Sequence, residues 1–223
     1  MPLNEHKMGD VIRLSERREA LRRRNAGRQR VRSHGEFFFD LACPFTYLAA
    51  ERVERSFDDV VWRAASSEAL SRSSLADDDL GAAAVRRRAE ERAAALRLPL
   101  VWPERFPEAV PAAMRVASYA AECGRGAAFV LAATRLAFCG GYDLDDPEIL
   151  AEAAAAAGVV LDDTLQAARD EARDGAIEEA GRALLAAGAD RLPALRVGRA
   201  LYWGESRVGE AIAAARIARV ARV

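Results

Sequence analysis

Among the 223 residues of this chain, Cys43 is the one best placed for chemistry. It closes the apolar run Phe37-Phe-Phe-Asp-Leu-Ala, and Pro44 and an Ala/Leu/Glu/Arg-rich stretch follow it. The run predicts a buried strand over Phe37–Leu41 and the stretch predicts a helix. Proline suits the first helical position, because its missing N–H would be unpaired there anyway. Cys43 is therefore expected at or just before a helix N-terminus, facing unpaired amides and the positive end of the dipole. That setting lowers a thiol pKa and exposes the thiolate. A free cysteine near pKa 8.5 is only about 3 % ionised at pH 7, and lowering it to about 6 is worth roughly 3 kcal/mol. The alternative is an inert cysteine packed in an apolar turn.

Two polar residues flank this thiol. Asp40 lies at the end of the expected strand, where an unpaired carboxylate is costly. It either assists proton transfer at Cys43 or is simply held by a nearby backbone or arginine. Thr46 stands three residues after Cys43 and can hydrogen-bond the thiolate. Further along, Arg207 sits at an expected helix N-terminus, where a cation is mildly unfavourable unless it grips a carboxylate. A plain surface arginine is the alternative. Phe45, Trp102, Tyr202 and Trp203 could wall an apolar pocket or serve as ordinary core. Cys123 and Cys139 lie beside glycines in helical sequence, which suits core or incidental surface positions. Neither His6, His34 nor any cysteine falls in metal-ligand spacing, so no metal is expected.

The elements that must position these residues fall into three groups. Residues 1–34 carry ten Lys or Arg against four Asp or Glu, so this extension is near +6 and the remainder near −7. Asp10 to Arg24 predicts a helix in it. It reads as a solvated extension packing on the acidic body or on a dimer mate, with an acidic partner or RNA as the alternative. Val60–Trp62 predicts a second buried strand, parallel to the first across the intervening helix. Residues 68–187 have helical composition almost throughout, with breaks at Leu98–Pro111, Cys123–Gly126, Gly140–Pro147, Gly158–Thr164 and Gly188. Asp146-Pro147-Glu148 is a strong helix start. Ala194–Val197, Gly198-Arg199 and Ala200–Trp203 predict a hairpin, and Ser206 is expected to cap a last helix.

Composition bounds the rest. Hydrophobic residues make up 51 % and charged residues 30 %, ordinary for a soluble globular protein, and the net charge of −1 gives no general attraction to polyanions. Nucleic acid is therefore not an expected partner. No apolar stretch approaches the 18 or so residues that span a bilayer, and no secretory signal pattern opens the chain. With three cysteines, this is the usage of a cytoplasmic protein rather than a disulfide framework.

Strand, Cys43-Pro44 and helix together resemble the start of a thioredoxin fold of the DsbA superfamily. Within it the chain is most similar to the branch of 2-hydroxychromene-2-carboxylate isomerases and kappa-class glutathione transferases. That branch has Asp-x-x-Ser-Pro-Tyr/Trp-Ser here, and Asp40-Leu-Ala-Cys43-Pro44-Phe45-Thr46 fills the same frame. Leu98-Pro-Leu-Val-Trp-Pro103, Ala113-Met114-Arg115, Asp145-Asp-Pro-Glu-Ile-Leu150, Leu192-Pro193 and Tyr202-Trp-Gly-Glu-Ser-Arg207 continue the resemblance in order. It implies an α/β, thioredoxin-like fold with a large all-helical insertion: residues 35–67 and 188–223 form the thioredoxin-like domain, 68–187 the insert, and 1–34 the basic helical extension. It also implies a cis Leu192–Pro193 bond facing Cys43, with the Leu192 backbone free to pair with a bound thiol peptide. Ser206 and Arg207 would hold the thiol partner, glutathione or another low-molecular-weight thiol. The chain departs from the pattern in telling ways. Redox members carry a second cysteine where Thr46 stands, the isomerases and transferases carry serine where Cys43 stands, and Ser206-Arg207 keeps only the cation of an Asp-Arg pair. The expected function is a single-cysteine thiol oxidoreductase or transferase acting on a small thiol or disulfide. A thiol-dependent isomerase and a catalytically silent binding protein are the alternatives.

Overall fold

Three consecutive phenylalanines organise the fold. Side chains alternate across a strand, so Phe37 and Phe39 face one side of the sheet and Phe38 the other. In the computed structural model, which describes residues 35–70 and 79–220, all three are buried. Phe37 and Phe39 enter the main core with Trp62, whose ring meets Phe37 edge-on at 4.8 Å. Phe38 packs in a second, smaller core with Leu184 and Leu192. A strand covered on both faces must be continuously apolar, and each buried phenylalanine contributes about 2–3 kcal/mol. The expected helix over Asp10 to Arg24 lies outside the described residues.

The order of elements is β1 (Gly35–Phe39), α1 (Pro44–Ser56), β2 (Val60–Ala64), then α2 (Asp79–Leu96), α3 (Pro111–Glu122), α4 (Gly126–Phe138), α5 (Pro147–Ala157), α6 (Leu161–Arg169) and α7 (Asp174–Ala186). The hairpin β3 (Ala194–Val197) and β4 (Ala200–Trp203) and the helix α8 (Val208–Val220) complete it. One sheet holds all four strands in the order β2-β1-β3-β4. β1 runs parallel to β2, with Phe37 opposite Trp62, and antiparallel to β3, with Phe37 opposite Leu195. The strands flanking the helical segment thus join across it. That segment shares one core with the sheet: Val116, Phe129 and Phe138 pack in the same cluster as Phe37 and Phe39.

Three local features differ from the sequence reading. β1 stops at Phe39, because the Asp40 carboxylate accepts the Ala42 N–H at 2.9 Å and the Asp40 carbonyl accepts the Cys43 N–H at 3.1 Å. The chain turns there instead of extending to Leu41. Ser206 makes no cap; α8 is preceded by a 3-10 turn, Glu205–Arg207, and Ser206 is exposed in it. Phe106–Pro107 is a cis peptide that no sequence feature signalled. The hairpin turn does fall on Gly198, whose φ of 60° suits a residue without a Cβ.

Candidate functional site

Cys43 is the N-cap residue of α1, with Pro44 in the first turn. Its side chain makes no capping bond. The thiol turns the other way and donates to the Leu192 carbonyl at 3.7 Å, within the range of a weak sulfur hydrogen bond. The Leu192–Pro193 peptide is cis. Residues 149 positions apart in sequence therefore meet at the C-terminal end of β1, brought there by the β1–β3 pairing. Thr46, fully buried, turns its hydroxyl to this loop and accepts the Asp40 N–H at 3.4 Å.

Asp40 is buried behind the loop, and its two carboxylate oxygens accept the Ala42 and Ser67 N–H groups, each at 2.9 Å. The Ser67 amide is held in place by close packing of α7. The Ser66 N–H donates to the Ile177 carbonyl at 3.1 Å, and a Cβ on Gly181 would meet the Ser66 carbonyl oxygen at 2.6 Å. Burial nevertheless raises the Asp40 pKa against the pull of those amides.

The electrostatics of Cys43 reverse the expectation of a lowered pKa. Burial, followed by the neighbouring Asp40 charge, pushes the thiol up to about 12. The Thr46 and Phe45 amides and the Thr46 hydroxyl act in the expected downward direction and are outweighed. A helix N-terminus supplies only part of an elementary charge, and burial of the thiol, to which the Asp40 carboxylate adds, outweighs it. The resting thiol is protonated.

The structure scatters the remaining candidates. The Arg207 guanidinium donates from Nε and Nη2 to Glu210 Oε2, at 3.1 and 2.9 Å, and lies over the Tyr202 and Trp203 rings. It is engaged within its own helix and hairpin. Trp102 meets Phe106 at a tilt, with ring centroids 4.6 Å apart, and donates to Glu90. Phe45 lies under Arg88 of α2. None of Phe45, Trp102, Tyr202 and Trp203 lines the small cavity of about 30 Å³ beside Leu41 and Ala42, whose rim carries Arg105, Glu108, Asp143 and Asp145. That is room for about one water molecule, far below the ~300 Å³ of an ordinary ligand pocket. Cys123 is exposed. Cys139 donates to the Tyr47 hydroxyl at 3.0 Å, which in turn donates to the Pro99 carbonyl at 2.8 Å. All three cysteines are free.

Two supports escaped the sequence reading. Glu205 is buried and held by Arg52 of α1 and by Arg92 of α2, whose Nη2 reaches Oε1 at 3.1 Å. The acid locks both helices to the turn before α8, yet in sequence it looks like an ordinary first-turn acid. Met114, within Ala113-Met114-Arg115, accepts the Leu41 N–H on its sulfur at 3.3 Å, tying α3 to the cysteine loop. Its neighbour Arg115 grips Asp174 with two parallel bonds, at 2.8 and 2.6 Å. Among the described residues no group of three or more His, Cys, Asp or Glu could hold a metal, and no helix is long and apolar enough to cross a membrane.

Solved structures share this architecture. A 2-hydroxychromene-2-carboxylate isomerase superposes with a TM-score of 0.70 at 18 % identity, covering 85 % of this chain and 96 % of that one. A probable DsbA oxidoreductase from Streptomyces coelicolor gives 0.67 at 21 % identity, over 86 % and 92 %. A candidate protein disulfide isomerase from Nitrosomonas europaea gives 0.64 at 17 % identity, over 86 % and 98 %. At these identities the likeness is one of fold. No curated protein matches the sequence closely. The family model of the DSBA-like thioredoxin domain matches residues 36–213, which span the cysteine loop, the helical segment, the cis-proline and the hairpin, and the chain belongs to that family.

Proposed function

We propose that this protein carries out thiol chemistry on a small thiol or disulfide with Cys43 as its single reacting cysteine. The observation that carries the reading is the placement of the Cys43 sulfur. It sits at the start of α1, 3.7 Å from the carbonyl of the cis Leu192–Pro193 loop and next to the buried Asp40. In the reaction Cys43 loses its proton to the Asp40 carboxylate, or through it to water, and the thiolate attacks one sulfur of a disulfide. The substrate S–S bond breaks, a Cys43–S–S–R bond forms, and the other half leaves as a thiolate with the electron pair. Thr46 cannot resolve this intermediate, since a hydroxyl is no substitute for a thiolate at neutral pH. An external thiol must attack the mixed disulfide and return Cys43 to its starting state.

The raised thiol pKa favours a second reading. A thiol that stays protonated acts as a hydrogen-bond donor, much as the serine of the isomerase branch does toward a bound thiolate. Cys43 would then assist a thiol-dependent isomerisation without forming a bond. Glutathione fits such a site at its sulfur end better than at its γ-glutamyl end, because position 206 is serine and Arg207 is engaged by Glu210.

Intact-mass analysis after incubation with oxidised glutathione and other small disulfides tests the proposal. A single adduct mapping to Cys43 and released by added thiol is the expected result. Adducts only at Cys123 would sink the nucleophilic reading and leave the donor reading, which saturable thiol binding without an adduct would support.

A further inference from the structure

We propose that Met114 is a positioning residue for Cys43: its sulfur fixes the Asp40–Leu41 peptide, and the other end of that peptide holds the Cys43 amide. The inference rests on the reading of Cys43 as the reacting thiol and adds a residue on which its reactivity depends. It starts from how the cysteine loop satisfies its own amides. The Asp40 N–H is met by the Thr46 hydroxyl, the Ala42 N–H by the Asp40 carboxylate, and the Cys43 N–H by the Asp40 carbonyl. Those three bonds stay within residues 40–46. The Leu41 N–H reaches outside, to Met114 Sδ at 3.3 Å, across 73 positions of sequence.

The Leu41 N–H and the Asp40 C=O belong to one peptide group, which is trans. Such a group is planar and its N–H and C=O point in opposite directions, so aiming one aims the other. With the N–H on Met114, the C=O faces the Cys43 N–H and accepts it at 3.1 Å. Leu41 is buried, so bulk water cannot stand in for the sulfur, and a buried N–H without an acceptor is costly. Met114 is itself buried, one turn into α3. Beside it Arg115 fixes the rotation of that helix by gripping Asp174 and donating to the Ala168 carbonyl at 3.1 Å. The sulfur therefore has a set position from which to hold the loop. Releasing it frees the turn, admits water to the thiol and relieves the burial that contributes most to its raised pKa.

Four proteins test this. Beside wild type, Met114→Leu keeps the volume and removes the acceptor, and Met114→Gln keeps the length and offers a carbonyl oxygen. Val116→Ala loosens the same core from the same helix. In Met114→Leu, iodoacetamide alkylation of Cys43 at pH 8 is expected to rise roughly three- to tenfold, with faster exchange of the Leu41 and Cys43 amides. Met114→Gln is expected to restore both, and Val116→Ala to lose stability with both unchanged. Selenomethionine in otherwise wild-type protein changes the acceptor and not the fold, and should move the Leu41 amide proton resonance. Alkylation and amide exchange need no disulfide, so they decide the role of Met114 even if no disulfide reacts at Cys43 and the proposed function fails. A Met114→Leu profile equal to wild type, a Met114→Gln profile equal to Met114→Leu, the same rise in Val116→Ala, or a Leu41 resonance indifferent to selenium would overturn the assignment.

Discussion

Two helices of this protein begin with the same pattern, a polar residue followed by proline, and use it in opposite ways. At α5, Asp146 precedes Pro147, and its carboxylate accepts the Glu148 N–H at 2.8 Å. This is a cap: an orphan amide is satisfied and a negative charge meets the positive end of the dipole. At α1, Cys43 precedes Pro44, and the side chain caps nothing. The nearby carboxylate, Asp40, is buried three residues earlier and spends its oxygens on Ala42 and Ser67. The local sequence is alike at the two starts. What differs is the burial of the carboxylate and the element packed opposite, the cis-proline loop at α1. One start satisfies its own helix, and the other turns its side chain away from the helix to the Leu192 carbonyl of the cis-proline loop.

The largest expected effect comes from making the first start resemble the second. In Cys43→Ser the hydroxyl can cap α1 where the thiol does not, so thermal or denaturant unfolding should show a gain of about 0.5–1 kcal/mol. Mixed-disulfide formation at this position should vanish entirely. A loss of stability would mean that the Cys43–Leu192 contact and its packing outweigh the missing cap, and the comparison would fail.

Changing the carboxylate rather than the thiol should have a smaller and more diagnostic effect. With the thiol pushed up to about 12, the thiolate at pH 8 is only about one part in 10⁴, so the alkylation rate of Cys43 in wild type should climb with pH without levelling off below about 10. Exposed Cys123 should react first. Asp40→Asn removes a like charge, lowers the Cys43 pKa and should speed its alkylation at pH 8 roughly tenfold. Turnover should slow if Asp40 takes the proton, a split that a purely structural Asp40 would not produce. Stability supplies a second readout. A carboxyl whose folded pKa is raised contributes most when protonated, and that contribution is lost as pH rises through the folded value. The stability of Asp40→Asn relative to wild type should therefore improve from pH 4 to pH 8. A flat difference would mean that Asp40 titrates alike in the folded and unfolded chain.

The legible parts of this protein were those fixed by local chemistry. The Phe37-Phe-Phe run, the hairpin at Gly198 and the cap at Asp146 follow from period, turn preference and capping, which neighbouring residues decide. The meeting of Cys43 with Leu192 was legible only through family resemblance, because 149 residues separate them. The direction of the Cys43 pKa was misread for a physical reason. The helix dipole is visible in sequence, but the opposing effects are not: Leu192 meets the thiol from 149 residues away, and Asp40 is held in place by the Ser67 amide from beyond β2. Glu205 shows the same limit. Nothing near Gly204-Glu205-Ser206 says that Arg52 and Arg92 will close on it.

The smallest expected effect on the reactivity of Cys43 comes from the helix start at Asp146, and it tests whether the two starts are independent. Asp146→Ala removes a side-chain cap from a partly exposed helix end, which costs about 1 kcal/mol. α5 packs on the core through Leu150, Ala153, Ala154 and Ala157, and these contacts do not involve the cap. The helix should therefore stay folded, with a lower unfolding midpoint and earlier amide exchange confined to its first turn. Asp145, however, lies on the rim of the small cavity beside Leu41 and Ala42, one residue before the cap. If that rim is rigid only because α5 is capped, loosening it would reach the cysteine loop. Measuring Cys43 alkylation against pH in Asp146→Ala decides the matter. An unchanged profile alongside the loss in stability is expected, and a shifted profile would show that the two helix starts are coupled through the cavity wall.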